Sequence, residues 1–325
     1  MSGKDLQVLS GATDNEKLND LCTRTYKEQA VWFLNAFWNS FGEENAEKIW
    51  AYKHKCDELD LQESENGNGL DEMKAHVFLE SFDETLTVRE MRNTLRESGA
   101  LGEKERPKKV PLIHVLVCLF KADWKKCVNA SQGDNQEEVE QAQRMLNDVL
   151  TALEEVKRSA EAAKQAEAAA KKAEAEAKQA QAELEAALAE VKAQEDAYNS
   201  KTEALKAKSE TGGIVSRNKA KAELEIHLAE DPLPLRRAKI TLEAAVKRSD
   251  RATKAAEAAT AAAIQARTEA EAAVADAEKK VEEAQAYLDE VKSKPGSAAG
   301  ALWWIDRELH EQKKYLPESK GGIRK

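Results

Sequence analysis

Between Pro234 and Lys254 the cations Arg236, Arg237, Lys239, Lys247, Arg248, Arg251 and Lys254 outnumber Glu243 and Asp250. Arg217, Lys219 and Lys221 stand just before them. Guanidinium and ammonium groups in such excess suit charge-assisted hydrogen bonds to a carboxylate-rich surface. The alternative use of the run is a solvated face of a charged helix. A second cluster, Lys313, Lys314, Lys320, Arg324 and Lys325, closes the sequence and offers either a second contact or a soluble tail. Glu63, Glu65 and Asp71 surround the stretch ENGNGL and could supply oxygens to a hard cation, but they lack regular ligand spacing. His114 and Cys118 lie four apart on an apolar run and could share a helix face. A zinc site needs more ligands than these two, so they are expected to form a buried pair.

Other chemistries find little support. GATDNEK and GGIVSRNK lack the strand–loop–helix setting, lysine and hydroxyl of a phosphate-binding loop. Carboxylates are plentiful, but they fall at solvent-facing helix positions with no pocket to shift them, so an enzyme is not expected. The formal net charge of -10 argues against non-specific nucleic-acid binding. The four cysteines, Cys22, Cys56, Cys118 and Cys127, have no close pairing and are expected to be reduced and buried. The longest apolar run, VPLIHVLVCLF, is too short to span a bilayer, and the first residues carry no signal-peptide pattern. A soluble, cytoplasmic protein with no membrane role is the expectation.

The elements that must position these residues divide by composition. Residues 1–133 hold most bulky side chains. In KEQAVWFLNAFWNSFG, Val31, Leu34 and Trp38 recur on one helical face beside Phe37 and Phe41. Further helical patterns run through ENAEKIWAYKHKCDELDL, DEMKAHVFLESF (Met73, Val77 and Phe78 on one face), TVREMRNTLRESG and Pro111 to Phe120. Four or five short helices in a compact base are expected.

From about Gln136 to Glu210 there is no glycine or proline, and Ala, Glu, Lys and Gln predominate. Such a helix is about 110 Å long at about 1.5 Å per residue. Val139, Leu146, Val149, Leu153 and Val156 form its first seam, Ala162, Ala166, Ala169, Ala173, Ala177 and Ala180 the middle, and Leu184, Leu188 and Val191 the last part. A second tract, Leu233 to Lys294, carries Leu242, Val246, Ile264, Val274, Val281, Leu288 and Val291. Gly212, Gly213, Pro232 and Pro234 mark the turn between the two. The sequence therefore predicts an all-α fold: a helical base (1–133), an antiparallel Ala-rich coiled-coil hairpin (134–296) with its tip near 211–235, and a C-terminal docking helix with a basic tail (297–325). Trp303 and Trp304 point about 100° apart on that last helix, one expected on the hairpin arms and the other on the base.

Four segments, QAVWFLNAFW, ENGNGLDEMKAHVFLE, PLRRAKITLEAAVKRS and AGALWWIDRELHEQKKY, resemble the calcium-regulated actin-bundling proteins. That resemblance implies an EF-hand-like N-terminal half, a helical C-terminal half, cytoskeletal localisation and filamentous actin as the partner. It also implies that the basic run above lies in an actin-contacting stretch. Bundling needs two contacts per particle, from two sites or from self-association through the helical arm. One departure concerns calcium. With Val110 at the apolar eighth position of an EF-hand loop, Glu103, Glu105, Pro107, Lys108 and His114 take positions one, three, five, six and twelve. Such a set lacks the required oxygens, so no metal cofactor is expected and calcium regulation is expected to be weakened or lost. A coiled-coil spacer without actin affinity is the competing reading.

Overall fold

The computed structural model describes residues 8–294, 296 and 298–316. The fold is all-α with one two-stranded ladder among the described residues. Two compact units divide the chain, one of residues 1–153 with 276–325 and the other of residues 154–275.

In the first unit the short helices are α1 (Asp14–Cys22), α2 (Tyr26–Phe37), α3 (Glu43–Leu59), α4 (Glu72–Ser81), α5 (Val88–Glu97), α6 (Leu112–Leu119) and α7 (Trp124–Asn129). Three of them start at a Thr-x-x-Glu box in which Thr13, Thr25 or Thr87 exchanges hydrogen bonds with Glu16, Glu28 or Glu90. These boxes satisfy N–H groups that a helix start leaves orphaned, and they set where each helix begins. A wide π-helical turn at Trp38–Gly42 joins α2 to α3. It brings Phe41 against Phe33 and Phe37, with ring centroids 5.9 and 5.1 Å apart, and Phe120 closes the cluster 5.5 Å from Phe41. Seven helices thus stand where four or five are expected. On α4 the buried residues are Ala75, Phe78 and Leu79, while Met73 and Val77 face solvent.

Gln29, fully buried on α2, ties this unit together. Its Nε2 donates to the carbonyls of Arg24 and Asn68 at 2.6 and 2.8 Å, and its Oε1 accepts from Ile113 N at 2.8 Å. A buried amide so satisfied fixes α2 against both the loop before α4 and the start of α6.

The helix α11 (Ala299–Lys313) completes the core of the same unit. Trp304 is fully buried with its ring 4.7 Å from that of Trp50, and Trp303 meets Trp50 edge-on at 6.4 Å. Both tryptophans therefore meet the same residue of α3. A side chain at Gly300 would meet Leu34 Cβ at 2.7 Å and Asn35 N at 2.8 Å, so glycine is what lets α11 lie on α2. Lys27 and Glu308 pair at 2.7 Å across the same junction, and Ala301 N donates to Asn35 Oδ1 at 2.9 Å.

The second unit is an antiparallel helical hairpin. It contains α8 (Gln136–Glu210) from residue 154 onward, α9 (Ile214–Ala229), and α10 (Leu233–Lys292) up to residue 275. Lys239 pairs with Glu195 at 3.0 Å and Arg248 with Glu183 at 2.5 Å, the descending numbers of an antiparallel pair. Burial alternates every three and four residues. Ala163, Ala166, Ala170, Ala173, Ala177 and Ala180 line α8, and Ala252, Ala256, Ala259, Ala263, Ala266 and Ala270 line α10. This is a strict seven-residue repeat filled with alanine, so the two backbones can approach closely. Ala162 and Ala169 lie just outside it, and Leu188, Val246 and Ile264 are exposed, although their size suggested seam positions. Gly212, at φ +100°, makes the turn that L side chains resist. Beyond it, α9 folds back on the end of α8: His227 Nε2 lies 3.1 Å from Thr202 Oγ1 and its ring 4.6 Å from that of Tyr198. No helix among the described residues is long and apolar enough to cross a membrane.

A basic outer face on the hairpin and a cation-filled loop pair

The seam of α10 near its start runs through Leu235, Ala238, Leu242, Ala245, Ser249 and Ala252. Residues two further on point away from α8, because each residue turns the helix by about 100°. Leu233, Ile240, Lys247 and Lys254 occupy that outermost line, and Arg236, Arg237 and Arg251 flank it. Both aliphatic residues are exposed. Both stand on the line farthest from the partner helix and so contribute little to the hairpin.

The cations of this segment separate into two sets. Lys239 and Arg248 cross to Glu195 and Glu183 on α8, consistent with the antiparallel register of the two helices. Arg236 binds Asp231 at 3.1 Å and Lys247 binds Glu243 at 2.7 Å, both exposed local pairs worth little each. Arg237, Arg251 and Lys254 are exposed on the outer face. Arg217, Lys219 and Lys221 lie on α9 and are also exposed. The structure therefore lines Arg236, Arg237, Lys247, Arg251 and Lys254 along the outer side of α10, with Leu233 and Ile240 near its start, while Lys239 and Arg248 reach across to α8. Eight of the nine large hydrophobic residues exposed in this unit fall between residues 188 and 246, and Ile264 is the exception.

The second basic cluster lies partly within the described residues. Lys313 donates to Gln285 Oε1 at 2.7 Å and Lys314 pairs with Glu311. Lys320, Arg324 and Lys325 lie outside the described residues.

In the first unit two helix–loop–helix segments, α3–α4 and α5–α6, pair through a short antiparallel ladder, β1 (Leu70–Asp71) with β2 (Lys109–Val110). Leu70 stands opposite Val110. Counting each loop from those partners as eighth positions puts Glu63 and Glu103 first, and Lys74 and His114 twelfth. Ammonium groups sit among the carboxylates. Lys109 Nζ lies 2.8 Å from Glu63 Oε2, and Lys74 Nζ lies 3.7 Å from Asp60 Oδ1 and 3.6 Å from Asp71 Oδ2. Asp60 also accepts from the Tyr26 hydroxyl at 3.0 Å, and Glu65 is exposed. In the second loop Arg92 and Arg96 donate to the carbonyls of Pro107 and Glu105 at 3.2 and 3.0 Å. His114 is buried with Nε2 3.3 Å from Cys22 Sγ, and burial lowers its pKa to about 4. Cys118 instead reaches the Met91 carbonyl at 3.7 Å. Among the described residues no group of three or more His, Cys, Asp or Glu side chains is placed to hold a metal ion. The outward separation of the α10 cations was open to helical-wheel reasoning once the seam phase was known, whereas Lys74 as an internal cation depended on the ladder register.

Residues 123–284 match the family model described as F actin bundling C terminal. Among solved structures, the chain aligns with the crystal structure of a 34 kDa F-actin bundling protein from Dictyostelium discoideum. The two are 18% identical, the alignment covers 97% of this chain and 100% of that chain, and the TM-score is 0.46. No curated protein matches the chain.

Proposed function

We propose, given that the chain belongs to the F-actin bundling family through residues 123–284, that it binds filamentous actin and holds filaments in bundles as a structural component of the cytoskeleton. The observation that carries this reading is the outer face of α10, where five cations follow one side of the helix and two exposed aliphatic residues stand near its start, all inside the matched region. Actin filaments present an acidic surface, and a basic face with apolar residues at one end combines electrostatic steering with an anchor that contact would desolvate.

The loop pair in the first unit is an EF-hand-like arrangement that calcium does not regulate. This reading is supported by the donor set: at the twelfth positions, where the ion needs a bidentate carboxylate, stand a lysine and a buried histidine. The ammonium groups of Lys74 and Lys109 already lie close to the carboxylates of Asp60, Asp71 and Glu63. The residues therefore do not fit a calcium ion.

Sedimentation with purified filaments tests both statements, at high speed for binding and at low speed for bundling, each with calcium and with chelator. Pelleting at both speeds, equal with and without calcium, is the expected result. A protein that stays in the supernatant at both speeds overturns the actin reading, and bundling that calcium dissolves overturns the account of the loops.

A further inference from the structure

The helix α9 buries a narrow stripe, Ala220 and His227 with half-buried Leu224 between them, and His227 meets Thr202 and Tyr198 of α8. Its opposite face is exposed and unusually apolar for a helix in this hairpin. Val215 is 84% and Ile226 59% exposed, and Ile214 and Leu228 stand open beside them. Ala222 occupies the centre of that face, about 200° around the helix from Ala220. The charges are sorted along the axis: Arg217, Lys219 and Lys221 precede Ala222, and Glu223 and Glu225 follow it. Lys219 reaches Glu223 within its own helix only at 3.9 Å, with both side chains exposed.

We infer that this outer face of α9 is a self-association surface, on which a second copy of the chain packs its own α9 antiparallel about a two-fold axis through Ala222. An isologous interface must be complementary to itself, and this one is. Reversing the direction of the partner brings its Glu223 and Glu225 to Lys219 and Lys221, and the reciprocal pairs form on the other half. The smallest residue falls at the crossing, where the two helices come nearest. The aliphatic ends also match, since Ile214 and Val215 of one copy fall beside Leu228 and Ala229 of the other.

A single pair of sixteen-residue helices buries less surface than the roughly 1,200 Å² of a stable complex, so the dimer is weak and reversible. Its consequence rests on the actin reading: two chains joined through α9 present two basic α10 faces, which is the bivalence that bundling requires. The association itself is independent of that reading and is measured without filaments.

Sedimentation velocity on the full chain over about 1–100 μM tests it, a range in which a small interface populates both states. Wild-type protein is expected to shift from monomer toward dimer as concentration rises. The pair Lys219→Glu with Lys221→Glu makes the helix acidic on both sides of Ala222, and the pair Glu223→Lys with Glu225→Lys makes it basic on both sides. Each double variant alone is expected to associate at least about tenfold more weakly. An equimolar mixture of the two is expected to regain dimer, because every cross-pair is then of opposite sign. Far-UV circular dichroism checks that each variant keeps its helix content. A wild-type chain that stays monomeric throughout overturns the inference, and so does a mixture that associates no better than its components. With actin present, Glu223→Lys with Glu225→Lys is expected to keep high-speed pelleting and to lose low-speed pelleting. Failure of wild-type protein to pellet at high speed would count against the actin reading alone.

Discussion

The two units solve the same problem with opposite materials. The first surrounds Phe33, Trp50 and Trp304 with large side chains that interlock, so its stability depends on volume being present. The hairpin carries alanine at most positions of its seam, so its stability depends on volume being absent. The first kind of core specifies a shape in three dimensions. The second specifies a register and leaves the outward faces of its helices free to carry charge. A binding face on α10 is possible because the seam takes so little of the helix circumference.

That contrast can be broken from either side. Trp304→Ala opens a cavity at a fully buried site against Trp50 and should cost about 3–5 kcal/mol, read from urea unfolding of the first unit. The same unit should weaken in acid. His114 is held neutral by burial, with its pKa lowered from the ordinary 6.5 to about 4. Between those values the unfolded chain binds the proton and the folded one does not, so stability is full above pH 6.5 and falls as pH drops toward 4. The loss is on the order of 3 kcal/mol, and His114→Leu should flatten stability across that window.

The hairpin should respond in the reverse sense. Ala170→Leu or Ala266→Leu overfills the seam and should destabilise it by about 1–3 kcal/mol, seen as a lower midpoint in the thermal loss of helix. Ile264→Ala, which removes far more apolar surface by sequence, should change that midpoint by less than about 0.5 kcal/mol, because Ile264 is 63% exposed. Equal sensitivity at Ala266 and Ile264 would refute the small-residue seam.

How much of this could be read beforehand follows the same division. The helical hairpin, its turn at Gly212 and Gly213, and the break before α11 are written in composition and in glycine and proline placement. The phase of the alanine seam is not. With alanine at neighbouring positions, size cannot choose between Ala162 and Ala163, and the few large residues mislead because Leu188, Val246 and Ile264 face outward. Burial follows the seven-residue repeat instead, which any alanine satisfies. The Thr-x-x-Glu boxes at Thr13, Thr25 and Thr87 were legible signals of three helix starts. The place of Trp303 was less accessible, since its contact with Trp50 depends on residues more than two hundred positions apart meeting in one core. On α10, composition reveals the cation excess, but only the interhelical pairs with Glu183 and Glu195 show that Arg248 and Lys239 reach across to α8.

The most direct test of the central claim compares those two sets of cations by co-sedimentation with actin filaments. Arg237→Glu, Arg251→Glu and Lys254→Glu are combined in one variant, and Lys239→Glu with Arg248→Glu in another. The outward triple variant should lose most of its filament binding with its thermal midpoint unchanged, while the inward pair should lower the midpoint and leave binding by the surviving folded protein largely intact. Undiminished pelleting of a folded outward variant would contradict the assignment of the α10 face to actin.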